Sequence, residues 1–460
     1  MASYLMAGVD RLAILDPRRW WLFLIGIALF VQIAWAISLA SRKPRFDEIH
    51  YISHAKNLAE GKGYVDEFGQ PTAYWPVGYP AVLAMCYRLA GDGPLTAVML
   101  QIILGVATSV LVCVIGSNVF GARIGRSAAL FLALYPTHVF YATLRLTEPL
   151  FTALVVTAML FLLVGLARRW ALIAGGLMLG SAALVRPLIL LFPLVLPIWF
   201  WIAAWPRRKI LSAVALVGCC TVLVVSPWLV RNHQLTGSWF VLSTTGGENF
   251  WVGNHPGAFG GYARPREILD DLQDGKGYDY SRGYHLGLVA ISNSPVQTAI
   301  RTLQKVTYFF ALETDGVLWN LKGLPSPPPK LVTLSLLAVA NVTYLFLLCF
   351  AVLGLMPSAR VNPLASLLLL LAGYSLLITI IFFGDPRYHY AVVPLAAIFS
   401  TKGFLEDWPR LSKGLRSKDP AARRTVLVWG AIVAVLLLAV VANVALKVAE
   451  ARTMGLSPPL

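Results

Sequence analysis

The sequence predicts an all-α polytopic membrane protein with about eleven transmembrane helices. Three observations predict it. Of 460 residues 58% are hydrophobic and only 13% charged, where a soluble domain carries nearer a quarter charged. Apolar runs long enough to cross a bilayer core of ~30 Å recur along almost the whole chain. Basic residues gather in alternate short connections, the pattern that marks a cytoplasmic face. Those connections hold Arg11, Arg18 and Arg19; Arg123 and Arg126; Arg168 and Arg169; Arg207, Arg208 and Lys209; Arg360; and the stretch from Lys402 to Arg424. The formal charge of +16 is therefore a topology signal, with some attraction to anionic lipid headgroups, and nucleic acid is not an expected partner.

The expected spans run over 20–40, 95–118, 123–141, 147–167, 170–185, 187–205, 209–230, 330–356, 361–383, 386–403 and 424–447. The first lacks a small-residue cleavage pattern and reads as a permanent span. The fifth and sixth share the turn at Arg186-Pro187, because the residue before proline disfavours helix. Basic pairs on both flanks require that turn to face outward. The N-terminus is then cytoplasmic and the C-terminus periplasmic, within a single integral-membrane domain over 1–460.

Two hydrophilic segments fall on the outer side. The first, 41–93, predicts an amphipathic helix from Glu48 to about Gly61, with Ile49, Ile52, Ala55 and Leu58 as its apolar stripe. Gly61 is a good terminator, and a short apolar helix follows over Ala81 to Leu89. Such helices lie in the membrane interface rather than cross it. The second, 231–329, is the long outer-face loop region, rich in Gly, Asn and aromatics, with a helix around Pro295 to Leu312 returning it to the membrane.

Metal chemistry has little footing. Of five cysteines, Cys113, Cys219, Cys220 and Cys349 lie in predicted spans and only Cys86 outside, with no zinc-type spacing. His50 and His54 stand four apart and share a helix face, as metal ligands can, but no Glu lies between them in the HExxH manner. No cofactor is expected, and a divalent metal has only this weak support. The Gly-rich GGENFWVGNHPGAFGG lacks the GK[ST] ending of a phosphate loop.

Charged residues placed beside spans are more telling. Asp47 and Glu48 follow the first span in FDEIHY; Glu148 precedes the fourth in RLTEPLF; Arg186 and Arg387 occupy later outward turns, Arg387 within GDPRYHY. Ionisable groups held at a membrane boundary are costly unless used, and these converge on one face.

The chain resembles the GT-C superfamily of integral-membrane glycosyltransferases, especially bacterial relatives of protein O-mannosyltransferases and of the lipid A aminoarabinose transferase. The resemblance rests on FDEIHYISHAKNLAEGKGY after the first span, then PTAYWPVGYPAVLA, LTEPLF, PWLVRNHQLTG with TTGGENFWVGNHPGAFGG, and DPRYHYAVVPLAAI, in the family's order. No inserted luminal sugar-recognition domain is present, so the mannosyltransferases' acceptor does not carry over. The resemblance implies a bacterial inner-membrane enzyme that moves a hexosyl or pentosyl group from a polyprenyl-phosphate sugar to a lipid, glycan or protein acceptor on the periplasmic face. It implies Asp47 as base in a single inverting displacement, Glu48 as a supporting neighbour, and Glu148 as an acid orienting acceptor or basic partner. Arg387, Tyr388 and Arg186 are the implied phosphate ligands, with Lys62 a further candidate. Tyr74 and Trp75 are candidates for stacking on a sugar ring or prenyl chain.

The competing reading is a polyprenyl-lipid or glycolipid transporter or flippase. Against it, the spans do not fall into two matching halves with mid-membrane charges. The topology is directly testable: cysteines placed at Lys62 and Asp271 should react with an impermeant thiol reagent added outside intact cells. Reaction only after the membrane is permeabilised would invert the assignment.

Overall fold

A computed structural model describes residues 16–239, 241–262, 272, 281–356 and 362–453. Arg11, Asp271 and Arg360, used above for topology, lie outside the described residues. Among the described residues the secondary structure is helical, with two isolated β-bridges, Val65 to Pro71 and Gly261 to Gly384.

In chain order the helices are α1 Pro17–Ser38, α2 Asp47–Ala59, α3 Gly78–Ala90, α4 Pro94–Phe120, α5 Ala122–Ala133, α6 Pro136–Phe140, α7 Glu148–Gly165, α8 Arg169–Val185, α9 Leu196–Ile202 and α10 Arg207–Thr236. There follow α11 Thr245–Asn254, α12 Arg282–Asn293, α13 Pro295–Phe309, α14 Asp315–Lys322, α15 Lys330–Leu355, α16 Pro363–Ile381, α17 Val393–Lys402, α18 Trp408–Arg416 and α19 Pro420–Thr453. Seven of them (α1, α4, α7, α10, α15, α16 and α19) are long and apolar enough to cross a membrane. The chain is a multi-pass membrane protein.

Proline explains where the helices differ from expectation. The helix expected over 123–141 stops at Ala133, because Pro136 cannot continue it; the rest becomes α6 and a 3-10 turn at Tyr141–Thr143. The span expected over 187–205 carries Pro187, Pro193 and Pro197, and breaks into 3-10 turns Pro187–Ile189 and Phe192–Val195 followed by the short α9. The one expected over 386–403 opens as a 3-10 turn, Pro386–Tyr388, and runs through α17 into a π-helical turn, Gly403–Asp407. At the first span, the Asp16 carboxylate caps the helix by accepting the Arg18 N–H at 2.7 Å.

In lipid, helices associate through close packing rather than through a hydrophobic force, and small residues permit it. Where α15 meets the π-helical turn, a Cβ on Gly354 would collide with the Phe399 carbonyl, and one on Gly403 with that of Phe350. The main core, with Leu24, Val112, Ile124, Met159, Leu179, Phe192, Trp199, Leu367 and Phe399 all essentially inaccessible, joins α1, α4, α5, α7, α8, α16 and α17.

Both hydrophilic segments gather at one end of this bundle. Arg231 donates to the carbonyls of Thr72 (2.5 Å) and Tyr64 (3.0 Å), the Lys43 N–H reaches the Gly323 carbonyl at 2.9 Å, and the Gly384 N–H reaches that of Gly260 at 2.7 Å. Helix α2 forms where expected, but its buried face carries Glu48, Tyr51, His54 and Ala55, while Ile49 is exposed. The inward face is thus rotated from the expected stripe: Ala55 and Leu58 pack inward but Ile49 turns out, because Glu48 and His54 find polar partners inside.

Candidate active site

Arg387 lies at the centre of the site. It stands in the turn Pro386–Tyr388, which Asp385 caps by accepting the Arg387 N–H at 2.8 Å. Aspartate before such a turn bonds the backbone two residues on. The same carboxylate grips the guanidinium, with Nη2 to Oδ2 at 2.9 Å and Nε to both oxygens at 3.1 Å. The free edge, Nη1, faces Asp47 Oδ2 at 3.5 Å and Glu148 Oε1 at 3.8 Å. The Trp319 ring lies beneath the guanidinium, 5.1 Å from ring centre to Cζ, a cation–π contact.

Asp47 is the first residue of α2, and its side chain keeps 31% of its surface exposed. Loss of solvent around it raises its pKa above the ordinary carboxylate value; Arg387 pulls the other way, while Glu148 and Asp385 add to the rise. Phe46, just before it, has φ at 50°, where a non-glycine residue stores about 1–3 kcal/mol of strain. Its ring packs on Trp319 at 5.2 Å, so the strained entry that aims Asp47 is anchored to the tryptophan under Arg387.

Glu148 opens α7, where the helix N-terminus favours an acid. It is buried and accepts from Arg186 Nη2 at 2.6 Å, while Arg186 Nε donates to Thr147 Oγ1 at 3.0 Å. Arg186 also lies 5.9 Å over the Tyr388 ring. The structure thus brings Asp47, Glu148, Arg186, Arg387 and Tyr388 together.

The other candidates have different surroundings. Glu48 is fully buried, with Arg42 donating to its two oxygens at 2.9 and 2.5 Å and the backbone N–H groups of Arg145 and Arg45 adding bonds at 2.8 and 3.0 Å. Expected as a supporting neighbour of Asp47, it is engaged by Arg42, Arg45 and Arg145 and ties α2 to the loop before α7. Lys62 is 63% exposed and paired with Glu60 at 2.5 Å. Tyr74 donates to Glu248 at 2.8 Å, and Trp75 packs against Tyr51 at 5.3 Å and His50 at 5.6 Å. The histidine pair is split by other partners, since His54 Nδ1 meets the Val65 carbonyl at 2.8 Å. Among the described residues no group of three or more His, Cys, Asp or Glu is placed to hold a metal ion.

Sequence reasoning missed Asp385, Trp319 and Arg42. Asp385 stood in plain view in GDPRYHY, and an Asp-Pro-Arg turn is itself a signal for a carboxylate that caps and clamps the following arginine. Burial alone would raise its pKa, but Arg387 overrides that and holds it below the usual value. Below the turn, His389 Nε2 meets Glu313 Oε1 at 3.2 Å, and the Tyr390 hydroxyl meets His138 Nδ1 at 3.0 Å.

The family described as dolichyl-phosphate-mannose-protein mannosyltransferase matches residues 75–230. The fold is that of the oligosaccharyltransferase of Archaeoglobus fulgidus in its apo form (TM-score 0.52, 16% identity), over 93% of this chain and 55% of that one. The chain thus spans about half the length of that enzyme. A further similar structure is ArnT from Cupriavidus metallidurans bound to undecaprenyl phosphate (TM-score 0.43, 15% identity, 87% of this chain and 79% of that one). No curated protein matches the sequence. The GT-C resemblance is borne out by this fold and by the matched family.

Breaking a buried ion pair strands the remaining charge. Arg42→Met should therefore lower stability by about 3–5 kcal/mol, measured by unfolding in detergent micelles. A loss below about 1 kcal/mol, the level of an exposed pair, would contradict the role given to Glu48.

Proposed function

We propose that the protein is a glycosyltransferase that moves a sugar from a polyprenyl phosphate to a hydroxyl-bearing acceptor at the outer face of a bacterial plasma membrane. The observation that carries this reading is the open edge of Arg387 beside Asp47. A guanidinium locked by Asp385 and backed by Trp319 still presents Nη1 toward a partly exposed carboxylate. That is a phosphate ligand and a base side by side. The matched family supports the donor class, since its description names a dolichyl-phosphate sugar donor.

The proposed step needs one base and no second nucleophile. The acceptor oxygen attacks the anomeric carbon while the bond from that carbon to the phosphate oxygen breaks. The electron pair leaves with the phosphate, held by Arg387 and Arg186 through charge-assisted hydrogen bonds. The acceptor proton passes to Asp47. Tyr388 flanks Arg186, and Glu148 sets the orientation of both arginines. The phosphate is already a stable leaving anion, so no strong acid is required, and the step calls for no cofactor. One displacement inverts the anomeric centre.

The raised pKa of Asp47 gives the pH dependence its sign. The base works in its ionised form, so turnover should fall as pH drops through a value above the ordinary carboxylate range. Asp47→Asn preserves shape and hydrogen bonding but cannot accept a proton. It should lower turnover by about two to four orders of magnitude, measured as transfer from a synthetic polyprenyl-phosphate sugar in liposomes, with donor binding little changed. Full activity in Asp47→Asn would remove the assignment. Lipid movement between leaflets without any transfer would favour a flippase.

A further inference from the structure

Beneath the turn that carries Arg387 lies a buried polar pair with no part in the proposed chemistry. His389, two residues past Arg387, and Glu313, in the strip between α13 and α14, each keep 6% of their surface exposed. The imidazole Nδ1 meets the Phe309 carbonyl at 2.7 Å, and its Nε2 meets Glu313 Oε1 at 3.2 Å. The same Glu313 oxygen accepts the Tyr135 hydroxyl at 3.1 Å. The ring also stacks on Tyr344 from α15, with centroids 5.1 Å apart. The far end of the Arg387 turn is thus tied to α13, to that strip and to α15.

The balance of donors and acceptors fixes how many protons this pair holds. A carbonyl only accepts, so Nδ1 carries a hydrogen. An ionised carboxylate also only accepts, so a hydrogen must lie between Nε2 and Oε1 as well. It belongs either to an imidazolium beside a carboxylate or to a neutral imidazole beside a carboxylic acid. In both cases the pair holds one proton beyond neutral histidine and ionised glutamate. Without it, two sets of lone pairs face each other at 3.2 Å, away from water. Moving the remaining hydrogen from Nδ1 to Nε2 transfers the conflict to the Phe309 carbonyl at 2.7 Å. His138, also below the turn, is different. Its Nε2 donates to the Gly105 carbonyl and its Nδ1 accepts from Tyr390, both at 3.0 Å, so the neutral ring is fully bonded.

The surroundings favour keeping that proton. Burial alone would lower the His389 pKa, but the hydrogen bond and charge of Glu313 override it and raise it above the ordinary imidazole value; Asp385, in the same turn, adds to the rise. Asp315, at the start of α14, is a further carboxylate near Glu313. From α15, Asn341 binds the Glu313 N–H at 2.9 Å. The phenols of Tyr135, Tyr141 and Tyr390 also feel the Glu313 charge. From α13 comes Lys305, which burial pushes down to about 7. Its titration does not compete. The neutral amine keeps two N–H groups for its two partners, Asn254 Oδ1 at 2.9 Å and the Ile380 carbonyl at 3.0 Å.

We propose that the proton shared by His389 and Glu313 locks the Arg387 turn in place, making both residues positioning residues for the donor phosphate. The proposal rests on the donor class inferred above. While the proton is present, the contacts to Phe309, Glu313 and Tyr135 are all matched and the turn stays docked. When it leaves, the facing lone pairs are relieved by moving the His389 ring, and the backbone two residues from Arg387 moves with it. The pKa is raised in the folded protein, so the lock is fully in place at mildly acid pH and is lost as pH rises through that raised value. Affinity for the phosphodiester then falls by about tenfold per pH unit in the alkaline range.

The test is calorimetric titration of the full-length protein in detergent, from pH 6 to pH 9.5, with undecaprenyl methyl phosphate, a phosphodiester that does not itself titrate in that range. Buffers of different ionisation enthalpy report the protons taken up. At the alkaline end the parent should lose affinity by about tenfold per pH unit and take up about one proton per ligand. In Glu313→Gln the amide nitrogen donates to Nε2 of a neutral ring and to the Tyr135 oxygen. No extra proton is needed there, so the alkaline loss and the proton uptake should both vanish. Asp47→Asn should keep them. A parent affinity that stays flat across the range would overturn the proposal without any variant. So would an alkaline loss that survives in Glu313→Gln or disappears in Asp47→Asn. Absence of binding by the parent at every pH would overturn the donor class itself, and this proposal with it.

Discussion

The Arg387–Asp385 clamp is the contact on which the site depends. A guanidinium is planar and permanently charged, and its fork matches a carboxylate edge to edge. Asp385 uses both of its oxygens on Arg387 and also caps the turn that carries it. The remaining nitrogen is thereby fixed in space, and other parts of the chain arrange themselves around it: Asp47 from α2, Glu148 from α7 and Trp319 from α14. The turn is itself held, by Gly384 on Gly260 and by His389 on the Phe309 carbonyl at 2.7 Å. A cation that four segments share cannot shift without disturbing all of them.

A second buried pair, Arg42 with Glu48, does a different job one residue away from Asp47. Burial of such a pair is weak evidence for stability, because desolvation offsets much of the attraction. Its effect is positional. Arg42 also reaches the carbonyls of Thr143 and Trp319, at 3.2 and 3.4 Å, so the adjacent acids divide the work. Glu48 fixes where α2 begins, and Asp47, pointing the other way, stays partly open to whatever binds beside Arg387.

The sequence was informative about elements and about which charges meet. Asp47, Glu148, Arg186 and Arg387 were singled out because each stood beside an apolar run, and they do converge. Periodicity was less reliable for orientation: Ala55 and Leu58 of the expected stripe pack inward, but Ile49 does not, since Arg42 neutralises Glu48 and lets a polar residue turn inward in its place. Apolar content alone also overstated helix continuity at 123–141 and 187–205, where Pro136, Pro193 and Pro197 decide the backbone. Trp319 could not be read from local pattern, because only tertiary packing brings Phe46 and Arg387 to its ring, whereas Arg42 pairs with Glu48 only six residues on, across the turn between α1 and α2. Lys62 was chosen for its charge and its loop, and neither says which way a long, exposed side chain will reach.

The central claim is that the open edge of Arg387 is a phosphate site beside a free base. The most direct measurement is a structure of the protein determined by electron cryomicroscopy with a non-hydrolysable polyprenyl phosphonate sugar bound. The account predicts phosphonate oxygens within hydrogen-bond distance of Arg387 Nη1 and of Arg186, with Asp385 still clamping Arg387 and Asp47 turned toward the anomeric carbon. A ligand whose phosphonate lies elsewhere, with the Arg387 to Asp47 contact unchanged from its present 3.5 Å, would contradict it.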